Sequence, residues 1–157
     1  MATQIKTYDP AAISMSVANI IVSGFEPGTF ITLTRNTNNF VTTLGPDGKE
    51  LIRTKRNDRS AMLTLTLRQS SDSNLSLANL AEQDEKNADG LVEIGISDAT
   101  EGAGASAIEF SGTGWVEKPS DASFAETPQP RAWIFRLAEV SMRHAGIPTK
   151  EVLASIT

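Results

Sequence analysis

The clearest order along the chain is an alternation of apolar and polar positions. From Ala61 to Arg68, Ala61, Leu63, Leu65 and Leu67 fall on one side and Met62, Thr64, Thr66 and Arg68 on the other. This is the two-residue period of a β-strand with one buried face. A slip of one residue would exchange the two faces, so its register is firmly set. Met15 and Val17 alternate with Ser14 and Ser16, and Ile20, Ile21 and Val22 read as the continuation of that strand. Phe30 to Thr34 is rich in β-branched and aromatic residues, and Phe40 and Val41 open another short strand. Val92, Ile94 and Ile96 alternate with Glu93, Gly95 and Ser97. Ile108 and Phe110 begin a strand that passes Gly112 and Gly114 to reach Trp115 and Val116. The two glycines allow a bend or a close backbone approach there. The last strand, Ala132 to Met142, places Trp133, Phe135 and Leu137 on one face. Ile134, Ala138, Val140 and Met142 fall on the other, with Arg136 among them. A strand apolar on both faces is expected to be buried on both, one of them by a neighbouring subunit.

The period changes once. Between residues 71 and 87, Leu77, Leu80 and Ala81 fall at helical spacing. Ser71, Asp72 and Ser73 supply N-cap oxygens, Glu82 and Lys86 form an i,i+4 pair, and Asn87 to Gly90 ends the helix. Gly24, Pro27 and Gly28 mark one turn. Gly45-Pro46-Asp47-Gly48 marks a sharper one, since proline presets one dihedral and glycine supplies a positive φ. Residues 36–60 therefore form a long, polar, protruding hairpin or loop, a kind of connection that commonly carries function. Small residues 98–105 make a loop, and Pro119 to Pro130 an irregular connection. Strands, one helix, then more strands predict a mainly β fold: a β-sandwich or open barrel with one flanking α-helix. A length of 157 residues fits a single domain, with an N-terminal arm at 1–13 and a C-terminal arm at 146–157.

Composition narrows the chemistry. The chain has no cysteine and one histidine, His144, which excludes disulfides, thiolate catalysis, cysteine zinc sites and any multi-histidine metal site within one chain. No nucleophile elbow accompanies His144, so it reads as a surface or interface residue. Carboxylate pairs such as Glu101 with Glu109, or Glu82 with Glu85, lie in a loop, on a strand and on a helix, and read as solvated faces. Asp47-Gly48 and Asn57-Asp58 lack the spacing of a calcium loop, and no phosphate- or dinucleotide-binding glycine pattern is present. We expect no enzyme activity, no metal and no cofactor. The formal net charge of −5 gives no basic footprint for holding nucleic acid. No signal peptide is read at Met1, and no apolar stretch reaches the roughly 20 residues that span a bilayer.

One charged feature stands out. Arg53, Lys55, Arg56 and Arg59, interrupted by Asp58, cluster on the long connection. They suit an electrostatic contact with an acidic patch on another copy, or else a solvated hairpin tip. The edges of an open sheet, unpaired in one copy, offer a second means of joining copies.

Two stretches carry a family resemblance. One is Tyr8-Asp9-Pro10 with Ser23-Gly24-Phe25 and Gly28-Thr29-Phe30-Ile31. The other is the run Arg53 to Ser60 leading into Leu63-Thr64-Leu65-Thr66-Leu67 and the serine-rich helix start Ser70 to Ser76. In order and spacing, from Tyr8 to about Met142, they resemble the tail tube proteins of contractile-tailed phages, whose fold is shared with the type VI secretion tube protein. The resemblance implies a virion structural protein, made in the host cytoplasm, that forms stacked hexameric rings. Its inner strands would join into one β-barrel, and its partners would be sheath, baseplate and tape-measure proteins. Genomic DNA would pass through the lumen without specific binding, repelled by acidic walls. It implies that 36–60 is the ring-stacking hairpin and that the helix lies outside or between subunits. Contact candidates are Arg53, Lys55, Arg56, Asp58, Arg59, Trp133 and Phe135; lumen candidates are Glu93, Glu109 and Glu117. Competing readings are a secretion tube of the same fold, a monomeric binding module using Trp115, and, last, a small hydrolase.

Overall fold

A computed structural model describes residues 5–98 and 109–144. As the patterning predicts, the chain is mainly β, a fold of the β-sandwich class with one flanking α-helix. Its strands are β1 (Ile13–Val17), β2 (Ile20–Ile21), β3 (Ile31–Arg35), β4 (Phe40–Leu44), β5 (Leu51–Lys55), β6 (Ala61–Leu67), β7 (Val92–Asp98), β8 (Glu109–Lys118) and β9 (Arg131–Arg143). Helix α1 spans Ser73–Asn87. Seven strands share one sheet in the order β2-β1-β7-β8-β9-β6-β3, and β4 and β5 form a separate ribbon. The described residues divide into two compact units: 5–22, 93–98, 109–112 and 141–144 in the first, and 23–92 and 113–140 in the second.

In the first unit, Met15 and Val17 of β1 and Ile94 and Ile96 of β7 are buried. β1 runs antiparallel to β7, with Met15 opposite Ile96 and Val17 opposite Ile94. On the other face, Ser14 and Ser97 share a hydrogen bond of 2.9 Å. The expected continuation of β1 into Ile20–Val22 is corrected. Ala18 and Asn19 both take positive φ, 52° and 67°, and the chain reverses so that Val17 pairs with Ile20. Two left-handed residues between paired strands make the primed hairpin turn. Alanine in its first position conceals the turn from a reading by turn residues. His144 is exposed and meets the Phe110 ring edge-on at 4.9 Å.

In the second unit, the β6 alternation is realised in full: Ala61, Leu63, Leu65 and Leu67 are all 0 % exposed. β6 pairs with β9 through Leu63↔Phe135 and Leu65↔Trp133, and with β3 through Leu63↔Leu33. Helix α1 places Leu77 in this core. The helix start is held by serines rather than by its N-cap. Asp72 makes no side-chain capping bond; Ser71 Oγ accepts the Ser73 N–H at 3.2 Å, and Ser73 Oγ accepts the Ser23 N–H at 3.0 Å. The buried Trp133 Nε1 donates to Asn74 Oδ1 at 3.0 Å, which ties α1 to β9. The helix ends at Ala88, whose φ is 52°. Lys86 and Glu82 make the expected pair at 2.6 Å.

The two faces of β9 require a second correction. Its register with β6 is regular from Arg131↔Leu67 to Leu137↔Ala61. Continued unchanged, it would set Glu139 opposite Arg59, yet it is the Val140 N–H that donates to the Arg59 carbonyl, at 3.1 Å. One extra residue has entered β9, a β-bulge. The bulge shifts the phase, so Val140 is buried along with Trp133, Phe135 and Leu137, while Ala138 and Glu139 are exposed. Arg35 Nη2 holds the bulge by donating to the Val140 carbonyl at 2.9 Å. β9 is thus buried on one face only, and no neighbouring subunit is needed to explain Val140.

Candidate functional site

The ribbon β4–β5 has no core of its own. It is antiparallel, with Phe40↔Lys55, Thr42↔Arg53 and Leu44↔Leu51 on one face and Val41↔Thr54 and Thr43↔Ile52 on the other. All ten of its strand residues are exposed. The turn forms as its residues dictate. The Gly48 N–H donates to the Gly45 carbonyl at 2.9 Å, and Asp47 Oδ1 accepts the Lys49 N–H at 3.1 Å. Gly48 takes a φ of +71°. At the base, Asn36 Nδ2 donates to Ser60 Oγ at 2.9 Å, and the Arg56 N–H donates to the Asn39 carbonyl at 2.7 Å.

The ribbon is therefore a well-formed hairpin, as expected, but it is not simply polar. It exposes Phe40, Val41, Leu44, Leu51 and Ile52, with Leu44 at 62 % and Leu51 at 67 %. Cross-strand pairing sorts these residues by face. Phe40, Leu44 and Leu51 lie beside Arg53 and Lys55, whereas Val41, Thr43, Ile52 and Thr54 form an uncharged face. The Arg53 guanidinium sits 4.4 Å from the Phe40 ring centroid, a cation–π contact. An open groove of about 410 Å³ runs along Thr37, Asn38, Phe40, Val41, Thr42 and Arg56.

The sequence-derived contact residues divide into two groups. Arg53, Lys55, Arg56 and Arg59 are exposed. Asp58 accepts from the Ser60 N–H at 2.9 Å and from Ser60 Oγ at 2.6 Å. These bonds, aided by Arg56, hold its carboxyl below the usual aspartate range. Asp58 thus serves the loop that returns the chain to β6. Trp133 and Phe135 are corrected: at 5 % and 0 % exposed they are core residues of their own chain, with no surface to offer a neighbour.

The lumen candidates are all exposed. Glu93 and Glu109 belong to the first unit and Glu117 to the second. Glu117 accepts from Trp115 Nε1 at 2.8 Å and lies 3.5 Å from Arg136 Nε. Trp115 is half-buried, with its indole N–H held by Glu117. Sequence reading missed the exposed leucines and isoleucine of the ribbon as surface features. The signal was present in Leu44, Leu51 and Ile52 flanking a strong turn. Among the described residues, no group of three or more His, Cys, Asp or Glu is placed to hold a metal ion. No helix among them is long and apolar enough to cross a membrane.

Comparison with known proteins agrees at the level of fold. No family model matches the chain, and no curated protein matches it. Among solved structures, it is similar to a chain of the anti-feeding prophage cap, the AFP tube terminating cap. The TM-score is 0.56 at 12 % identity, over 92 % of this chain and 95 % of that one. The likeness is one of fold along nearly the whole length of both chains.

Proposed function

We propose that the chain is a non-catalytic structural subunit that assembles with copies of itself into stacked rings, forming the inner tube of a contractile tail. The observation that carries this reading is the ribbon. A lone two-stranded hairpin is marginal in water, and this one exposes large apolar side chains on both faces. Such a hairpin gains its stability when a partner covers it.

The sheet supports the same reading. In β3, the Phe30 carbonyl accepts the Thr66 N–H and the Asn36 N–H donates to the Ser60 carbonyl. The even-numbered residues therefore bond β6, while Ile31, Leu33 and Arg35 turn their backbone groups to the outer edge. With β2 at the other end of the strand order, the sheet has two different edges. Unlike edges join copies head to tail, which gives rings or filaments rather than closed dimers. The contractile-tail setting rests on the sequence resemblance and on the fold shared with a tube cap. Sheath, baseplate and tape-measure partners, a virion location and passage of DNA belong to that setting.

That same likeness favours a second reading, in which the chain caps a tube instead of repeating along it. Light scattering tests both on the wild type and on a Leu44→Ser, Leu51→Ser variant. Mass that grows with concentration for the wild type and stays at one ring or below for the variant supports the tube. Growth that stops at one ring for both supports the cap. A single-chain mass for the wild type at every concentration removes both.

A further inference from the structure

The ribbon must be received somewhere, and the chain carries a surface that matches it. Between residues 36 and 60 there are five lysines and arginines against three carboxylates. From residue 72 to residue 89 the balance reverses, with five carboxylates against one lysine. Lys86 pairs with Glu82 within the helix, and the surface keeps a net negative charge. The solvent side of α1 carries Leu75, Ala78, Glu82 and Glu85 at three- and four-residue spacings, one continuous stripe of a helix surface. Leu75 stands exposed toward the N-terminal end of this stripe, at 68 %, and Leu91, which follows the helix, is 70 % exposed. Leucine next to acidic side chains is the counterpart of the ribbon face that sets Phe40, Leu44 and Leu51 beside Arg53 and Lys55.

We infer that the β4–β5 ribbon of one copy docks on the outer face of α1 of a second copy, with Arg53 and Lys55 meeting Glu82 and Glu85. This rests on the assembly reading above and names the surface that the ribbon meets. Charged side chains at the contact's edge set partner and register, and Phe40, Leu44 and Leu51 of the ribbon with Leu75 of the helix supply the desolvated centre. Because ribbon and helix face are different patches of one chain, each copy gives one contact and receives another. Such a contact passes from copy to copy when the second copy's own ribbon goes on to a third.

Charge reversal tests the pairing. One variant carries Arg53→Glu and Lys55→Glu; the other carries Glu82→Lys and Glu85→Lys. All four positions are exposed, and circular dichroism checks that both variants fold. Alone, each sets like charge against like charge, and its light-scattering mass should fall to that of one chain at a concentration where the wild type assembles. Mixed in equal amounts, they present opposite charges in both directions, and assembly should return. Since the chain has no cysteine, Lys55→Cys with Glu85→Cys gives a second readout: a short bis-maleimide should yield a ladder of cross-linked multimers. Assembly of both variants alone at wild-type mass would overturn the ribbon-to-helix contact while leaving the assembly itself standing. So would an inert mixture without a cross-linked ladder. A wild type that stays a single chain at every concentration overturns the reading beneath it.

Discussion

Replacing Gly114 with alanine should destabilise the fold more than any other single glycine change in the sheet. A Cβ at this position would lie well inside the contact distance of the Arg136 carbonyl oxygen, and 2.9 Å from both Arg136 C and Leu137 Cα. These are backbone atoms of β9, so no side chain can swing aside. β8 and β9 would have to part by about 1 Å, and β9 cannot follow freely. Phe135 and Leu137 anchor it in the core at 0 % and 2 % exposed, and seven of its residues are in register with β6. Overpacking costs ~1–3 kcal/mol where neighbours can adjust, and occasionally more; here the upper end applies, about 3 kcal/mol. For a chain of this size that is a fall in Tm of roughly 6–12 °C. Gly48 is the comparison. Nothing lies within 4 Å of its added Cβ, and only its φ of +71° opposes a side chain, about 1–2 kcal/mol, on a ribbon that no core depends on. Urea denaturation followed by circular dichroism, at concentrations where the mass is that of one 16.8 kDa chain, reads the difference. A Gly114→Ala variant within 1 kcal/mol of the wild type would refute the close approach of the two strands.

Other substitutions separate core from surface. Phe135→Ala should cost about 3–5 kcal/mol in the same assay, because the ring is fully buried. Asn74→Ala leaves the buried Trp133 Nε1 without its acceptor and should cost about 1–3 kcal/mol; a change below 0.5 kcal/mol would contradict that bond. Leu44→Ser with Leu51→Ser should leave single-chain stability within about 0.5 kcal/mol while removing assembly. Asp58 has a depressed pKa, so its contribution is present above the ordinary aspartate range and is lost as pH falls through the lowered value. In Ser60→Ala the two bonds from Ser60 are reduced to one, and a carboxyl titration by NMR should move up toward the ordinary range.

Much of the fold was legible because burial follows a simple period. Strands β6 and β7 were readable from leucine, isoleucine and valine spacing alone, and helix α1 from Leu77, Leu80 and Ala81 together with its start and stop residues. The failures have local physical causes. The β1–β2 turn was hidden because Ala18 adopts a conformation usually left to glycine or asparagine. The faces of β9 were misassigned because a bulge near Ala138 changes the period by one, and no residue type marks where a bulge falls. Trp133 and Phe135 then looked available to a neighbour when they are core. The ribbon's position and turn were legible; its character was not. Leu44, Leu51 and Ile52 lie close to a strong turn, and only the tertiary structure shows that nothing in the chain covers them.

The most direct test of the central claim is negative-stain electron microscopy of the purified chain at rising concentration. The account predicts rings that stack into hollow tubes of uniform diameter. Single particles of one chain's size at every concentration, with no rings, would contradict it.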